Sequence, residues 1–256
     1  MEGLSMKHQI KHKHTGAVLF ECELPDDTPA GLIDRHALEK ATASGANLAG
    51  AYLAGADLDG ANLTRANLAE AYLAGANLTR ANLAEANLAE AYLAGANLTR
   101  ANLAEAYLAG AYLAGANLTR ANLAEAYLAG ADLDGANLAE AYLAGADLDG
   151  ANLAGANLAR ADLDGANLDG AMLVGERPIF QIGPIGSRYS YFTAYITTEG
   201  VKLRTGCFFG TVEEFNKKLS KEHGDNDHAK EYQAALLMIK SHADLWMPEV
   251  KATGEA

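Results

Sequence analysis

The chain has little of what disulfide-stapled, membrane-spanning or phosphate-binding proteins are built on. Of its 256 residues only two are cysteine, Cys22 and Cys207, and neither stands in a metal-ligand spacing. A disulfide framework is not expected, and a reducing, cytoplasmic location is. No secretory pattern opens the chain and no apolar run has the length of a bilayer span, so no membrane partner is expected. Positive charge is scarce: 20 Lys and Arg face 33 Asp and Glu, for a net −13. Binding nucleic acid directly through its phosphates needs the opposite sign. An acidic surface of this kind serves solubility first. A catalytic constellation is missing as well. Cys207 with His223, His228 or His242 as base can be named, but nothing fixes their geometry, so no enzyme is expected and no cofactor is implied.

What is there in abundance is a repeat. From Ala46-Asn47-Leu48-Ala49-Gly50 to Ala171-Met172-Leu173-Val174-Gly175 the chain is 26 consecutive pentapeptides, each with Ala first and Leu third. On an α-helix a period of five moves successive Leu residues around every face. On one long strand an odd period sends them alternately to opposite sides. A short extended segment plus a turn in each repeat resets the direction, so that every Leu points inward. That is a solenoid. Variants recur at twenty: the blocks starting at Ala76, Ala96 and Ala116 all read ANLTR followed by ANLAE. Four repeats per coil account for this.

The motif A-(N/D)-L-x-x resembles the pentapeptide repeat family, over about half of the chain. The resemblance implies an all-β solenoid, a right-handed quadrilateral parallel β-helix, with the first and third residues of each repeat inward. Tyr often takes the second place here, where the family usually has Asn or Asp. Residues 46–175 are expected to form the β-helix. Residues 1–45 read as a hairpin-plus-helix N-terminal cap, and residues 176–256 as an α+β C-terminal cap domain. The flanks are similar to those of phage-type and prophage-type members of unknown role. The near-identity of the repeats points to recent duplication or to a built consensus array.

Residues twenty apart should stack on one face. Tyr52, Tyr72, Tyr92 and Tyr112 then form a ladder, with Tyr107 and Tyr127 on the preceding face and Tyr142 on the face before that. Stacked rings at strand spacing stabilise one another by about 0.2–1 kcal/mol per pair, and Tyr is also enriched at interfaces. Another face carries Thr79-Arg80, Thr99-Arg100 and Thr119-Arg120. The expectation is that the Glu85, Glu105 and Glu125 column of the next face offsets the repulsion among these arginines. Acid thickens toward the last coils, where Asp147, Asp149, Asp162 and Asp164 stand. The tyrosine ladder and these four aspartates are the candidate interaction surfaces.

In the N-terminal flank, 9–13 and 17–24 read as strands joined at His14-Thr15-Gly16. Thr28 reads as a helix cap with Pro29 at the first position, and Leu32, Ile33, His36, Ala37 and Lys40 as the helical stripe. His8, His12 and His14 cluster between lysines, a solvated basic strand rather than a metal site. In the C-terminal flank, 178–182, 189–197 and 201–209 read as strands. Thr211 to Glu214 reads as a capping box. A helix with Val212, Phe215 and Leu219 inward follows, and Gly224 ends it. Asp227 is expected to cap a second helix whose stripe is Tyr232, Ala235, Leu236, Ile239, Ala243 and Trp246.

The function expected from all this is a non-enzymatic scaffold or protein-interaction module whose protein partner is unknown. Family resemblance supplies an alternative, an acidic DNA mimic that binds a type II topoisomerase such as gyrase. A homodimer through the C-terminal domain is the expected assembly.

Overall fold

A computed structural model of the chain describes residues 5–168, 171–173, 178–186, 190–205 and 208–246. Two compact units emerge. One comprises Met1–Asp162 with Ala166–Asp169, the other Leu163–Gly165 with Gly170–Ala256.

In the first unit every repeat pairs in parallel with the repeat twenty residues away, as in Asn77↔Asn97, Tyr92↔Tyr112 and Asn102↔Asn122. One repeat shows how the backbone is satisfied. The Ala96 N–H donates to the Leu93 carbonyl at 3.0 Å and closes the turn. The Asn97 N–H donates to the Ala76 carbonyl of the coil before, and the Leu98 and Arg100 N–H groups donate to Asn117 and Thr119 of the coil after, at 2.7–3.0 Å. The Thr99 N–H donates to the side chain of Asn97 at 3.1 Å. All five donors of the repeat therefore have partners, as backbone packed against a buried core requires.

Ala and Leu at the first and third places are buried nearly throughout the described repeats, Ala96 and Leu98 completely. Ala46 and Leu158 are the half-buried exceptions. Each buried Leu contributes about 1.5–3 kcal/mol of transfer free energy. The fifth residue turns the corner in the left-handed region. Glycine holds that place in most repeats, for example Gly115 at φ 65°, but Arg100 at 59° and Glu105 at 58° adopt it too. A side chain there costs on the order of 1 kcal/mol in backbone strain.

The N-terminal flank packs on the first coil. Strands β1 (Ser5–Lys11) and β2 (Val18–Pro25) form an antiparallel hairpin with Gln9 opposite Glu21. The first strand starts and ends earlier than its sequence suggests. His12 leaves it because its ring Nδ1 accepts from the N–H groups of His14 at 3.1 Å and Thr15 at 3.3 Å and shapes the turn. Lys13 then donates to Gly50, and Tyr52 to Lys11, at 2.8 and 2.9 Å. Helix α1 (Ile33–Ala43) follows a 3-10 turn at Ala30–Leu32 and buries Ala37, Leu38 and Ala41. Thr28 does not cap it. The 3-10 turn intervenes, and the cap position falls on Leu32, which has no side-chain acceptor. Lys40 is on the outer side, its ammonium on the Glu23 carbonyl at 2.7 Å. Arg35 donates to the carbonyls of Asp59 and Gly60, and Glu39 accepts the N–H of Asn62 at 3.0 Å.

Two-residue strands β3 (Asn167–Leu168) and β4 (Ala171–Met172) stand where the repeats end. Val174 and Gly175, the close of the last pentapeptide, lie outside the described residues. The second unit holds a four-stranded antiparallel sheet, β5 (Ile179–Ile185), β6 (Ser190–Thr197), β7 (Gly200–Thr205) and β8 (Phe208–Thr211), with helices α2 (Val212–His223) and α3 (Asp227–Trp246). The segment expected as one strand over 201–209 is two, because the chain reverses and Thr205 pairs with Phe208. The Thr211–Glu214 capping box is formed on both sides. The cap of α3 is Asn226, whose Oδ1 accepts from Ala229 at 3.0 Å, and not Asp227, which is already helical. Phe192, Leu203, Phe215, Leu219, Tyr232 and Ile239 form the core of this unit. Among the described residues no helix is long and apolar enough to cross a membrane.

The Leu stack predicts its own cost of damage. Leu98→Ala leaves a cavity between Leu78 and Leu118 and should lose about 3 kcal/mol. Urea unfolding of the variant beside the parent protein measures it, and a loss under 1 kcal/mol would contradict a close-packed column.

Candidate functional site

With the core fixed by the first and third residues, the second, fourth and fifth are left to form the surface. Asn at the second place does two jobs. Its Oδ1 accepts the N–H of the fourth residue, as Asn102 does from Ala104 at 3.2 Å. Its Nδ2 donates to the residue one coil earlier: Asn102 to Asn82 and Asn122 to Asn102, both at 3.1 Å, and Asn77 to Asp57 at 2.8 Å. An aspartate can accept in such a ladder but cannot pass the bond on.

Threonine at the fourth place changes the pattern. The hydroxyls of Thr64, Thr79, Thr99 and Thr119 donate to the Oδ1 of their own Asn at 2.8, 2.7, 2.6 and 2.6 Å. Where this occurs, the amide of the next coil makes no bond to that Asn. Among the described residues Asn82, Asn97, Asn117 and Asn137 keep their Nδ2 donors unspent, although each accepts through Oδ1. The sequence contained the signal, in that Thr follows Asn by two only in these repeats, but the exchange of one bond for another shows only in three dimensions.

The tyrosine ladder is formed. Tyr52 and Tyr72 are 5.8 Å apart between ring centroids, Tyr72 and Tyr92 5.7 Å, Tyr92 and Tyr112 4.8 Å. Tyr107 and Tyr127 stack at 4.9 Å. Tyr52 and Tyr112 remain 56% and 44% exposed, so the stack does not consume the rings. One contact is unexpected: the Lys13 ammonium lies 3.3 Å from the centroid of Tyr72, a cation–π contact from the N-terminal hairpin.

The charged columns are arranged differently from the expectation. The ion pairs run along a face, between coils, rather than across a corner. Arg65 grips Glu85 through two bonds of 2.9 Å, Arg120 bonds Glu140 at 2.8 Å, and Arg80 takes both oxygens of Asp59. The reason is distance: residues twenty apart are strand neighbours, about 4.8 Å away, which a long side chain spans without leaving its face. The guanidinium groups hold the carboxyls of Glu85, Glu140 and Asp59 below their usual range, by hydrogen bond first. Among the described residues Arg100 has no carboxylate within 4 Å.

Of the candidate aspartates, Asp147, Asp149 and Asp162 lie in the first unit and Asp164 in the second. Asp149, Asp162 and Asp164 are exposed. Asp147 is half-buried, and its Oδ1 accepts from the Asp149 N–H at 3.1 Å and the Asn167 amide at 3.0 Å. The three N-terminal histidines do not converge. His8 lies 3.3 Å from Asp34, and the His12 and His14 rings are 6.0 Å apart. Among the described residues no group of three His, Cys, Asp or Glu is placed to hold a metal. Cys22 is half-buried, and burial pushes its thiol pKa up. Cys207 lies outside the described residues.

The family model for pentapeptide repeats matches in eight copies, over residues 37–68, 66–103, 101–139 and 136–173. The chain is a pentapeptide repeat protein. Members of this family form right-handed β-helices, and the parallel pairing at twenty residues fits that architecture. Solved structures similar to it include HetL, a pentapeptide repeat protein involved in heterocyst differentiation regulation from the cyanobacterium Nostoc sp. strain PCC 7120, at 37% identity over 49% of this chain and 74% of that one, with a TM-score of 0.23. Rfr23 from the cyanobacterium Cyanothece 51142 is 40% identical over 38% of this chain and 61% of its own, with a TM-score of 0.27. QnrB1, a plasmid-mediated fluoroquinolone resistance protein, is 19% identical over 46% of this chain and 71% of that one, with a TM-score of 0.30. No curated protein matches the pentapeptide repeat chain.

The amide ladder yields a paired prediction. Asn102→Ala removes three bonds and should cost about 1–2 kcal/mol. Thr99→Ala frees Asn97 Oδ1 for the Asn117 amide and should stay within about 0.5 kcal/mol. Urea midpoints of the two variants decide it. Equal losses would contradict the exchange.

Proposed function

We propose that this pentapeptide repeat protein is a non-enzymatic scaffold that presents patterned faces to a protein partner in the cytoplasm. In this reading the repeats 46–175 close into a right-handed, four-sided column. Residues 1–45 act as its N-terminal cap and residues 176–256 as its C-terminal cap domain. The observation that carries the reading is the tyrosine ladder, exposed at Tyr52, Tyr92 and Tyr112 and half-buried at Tyr72, on a face whose fourth and fifth places across those coils are only Ala and Gly. Large rings over small residues make a smooth contact surface with little side-chain entropy to lose. A homodimer through the C-terminal domain belongs to the same reading. The outer side of α3 supports it, with Leu237 at 70% and Leu245 at 76% exposure beside Met238. Light scattering at high concentration would sink the dimer by returning the mass of one chain.

The scaffold reading is tested on the ladder. Asn is at home in the second place, so Tyr52→Asn, Tyr92→Asn and Tyr112→Asn together should keep the fold. The triple variant is expected to lose capture of the partner that the parent protein retains. Undiminished capture by a folded variant would remove the ladder from the function.

A second reading, an acidic mimic of DNA that binds a type II topoisomerase, is supported by the exposed carboxylates of Asp149, Asp162 and Asp164 together with Asp147. The arginine column opposes it. Titrating the protein into a gyrase supercoiling reaction tests it. Inhibition that disappears when the four aspartates become Asn would favour the mimic, and no effect at high excess would discard it.

A further inference from the structure

The face that carries the arginines is built unlike the others. Its coils place Arg80, Arg100 and Arg120 in one column at the fifth position, beside Thr79, Thr99 and Thr119 at the fourth. These six residues and Glu140 line an open cavity of about 360 Å³. The outer two cations are neutralised along the same face, Arg80 by Asp59 and Arg120 by Glu140. The middle one is not, since Arg100 has no carboxylate within ion-pair distance among the described residues. Glu105, at the corner of the next face, is not within that distance of Arg100, and the corner of the tyrosine face on the other side carries glycine at Gly95 and Gly115. Of the five repeat arginines, Arg65, Arg80 and Arg120 have an acid partner; Arg100 and Arg160 have none among the described residues, and of these two only Arg100 lines the cavity.

A second, independent feature belongs to the same repeats. Thr79, Thr99 and Thr119 occupy the Oδ1 atoms of Asn77, Asn97 and Asn117, which interrupts the amide ladder and leaves the Nδ2 groups of Asn97, Asn117 and Asn137 without acceptors among the described residues. The threonine hydroxyl protons are themselves spent on Asn. Guanidinium and amide N–H groups are thus what this face has to offer. Such a surface matches a small, multiply accepting anion, which charge-assisted hydrogen bonds hold most strongly.

We propose that this face is an oxyanion site of the phosphate class, with Arg100 as the primary ligand, Arg80 and Arg120 flanking it, and the freed amides of Asn97 and Asn117, in the same repeats as Arg100 and Arg120, as neutral donors. Arg100 supplies the uncompensated charge. The outer arginines keep N–H groups to spare beyond those given to Asp59 and Glu140. The threonines act indirectly, by withholding the Asn oxygens from the ladder.

The test is a titration of the intact protein with inorganic phosphate, against sodium chloride at matched pH and ionic strength. Arginine Nε–H and asparagine Nδ2 resonances report it by NMR. Saturable shifts are expected at Arg100, Asn97 and Asn117, and none at Arg160, which lies on the same face outside the cavity. Arg100→Gln should weaken binding about tenfold, the worth of one charge-assisted contact. The left-handed corner tolerates the change, as Glu105 shows at φ 58°. Thr99→Ala should also weaken binding, by restoring the ladder, while leaving the urea midpoint nearly unmoved. The proposal is overturned if phosphate and chloride act alike, if Arg160 responds as Arg100 does, or if Arg100→Gln binds as tightly as the parent.

Discussion

Everything in the repeat unit depends on the backbone hydrogen bonds between residues twenty apart. Each repeat gives two donors to the coil after it and one to the coil before, and closes its own turn with a fourth. Because these bonds are made regardless of side chain, the second, fourth and fifth positions are free to vary. The inward positions are not free, since a coil has room for Leu and Ala and little else. A surface of many kinds over an interior of one kind follows directly.

That freedom explains why the outer columns behave as separate ladders. Side chains one coil apart are strand neighbours, so like residues interact along the axis: tyrosine on tyrosine, amide on amide, arginine on glutamate. A column of identical rings or amides gains from the repetition. A column of identical charges is penalised by it. Arg65 with Glu85 and Arg120 with Glu140 resolve the penalty by alternating sign within a face. Arg100 and Arg160 do not, and of the two it is Arg100, in the cavity between two other cations, where the surface asks for something from outside.

Much of this was legible in the sequence. The period of five, the inward Leu, the coil of twenty residues and the tyrosine ladder all follow from arithmetic on a repeat, and the inward Ala from the family resemblance. The direction of the ion pairs does not, because the sequence shows Arg and Glu columns side by side and is silent on which neighbour is nearer. Corner geometry is hidden too: Gly, Glu and Arg share the fifth place, and the left-handed φ of Arg100 cannot be told from its identity. In the flanks the capping box at Thr211 was readable because both partners are local. Thr28 misled because a 3-10 turn displaced the helix start, and Asn226 took the cap expected of Asp227 one residue away.

Amide hydrogen exchange, read residue by residue across the coils from Ala76 to Gly115, tests the central claim most directly. Leu78, Leu98 and the Ala residues that open each repeat should be protected most strongly. Ala84 and Ala104, bonded to an asparagine side chain, should exchange faster. Ala94 and Ala114 follow Tyr by two, have no such acceptor, and should exchange fastest of all. Protection without this five-residue rhythm, or Leu98 exchanging as fast as Ala94, would contradict a column held together by bonds between coils.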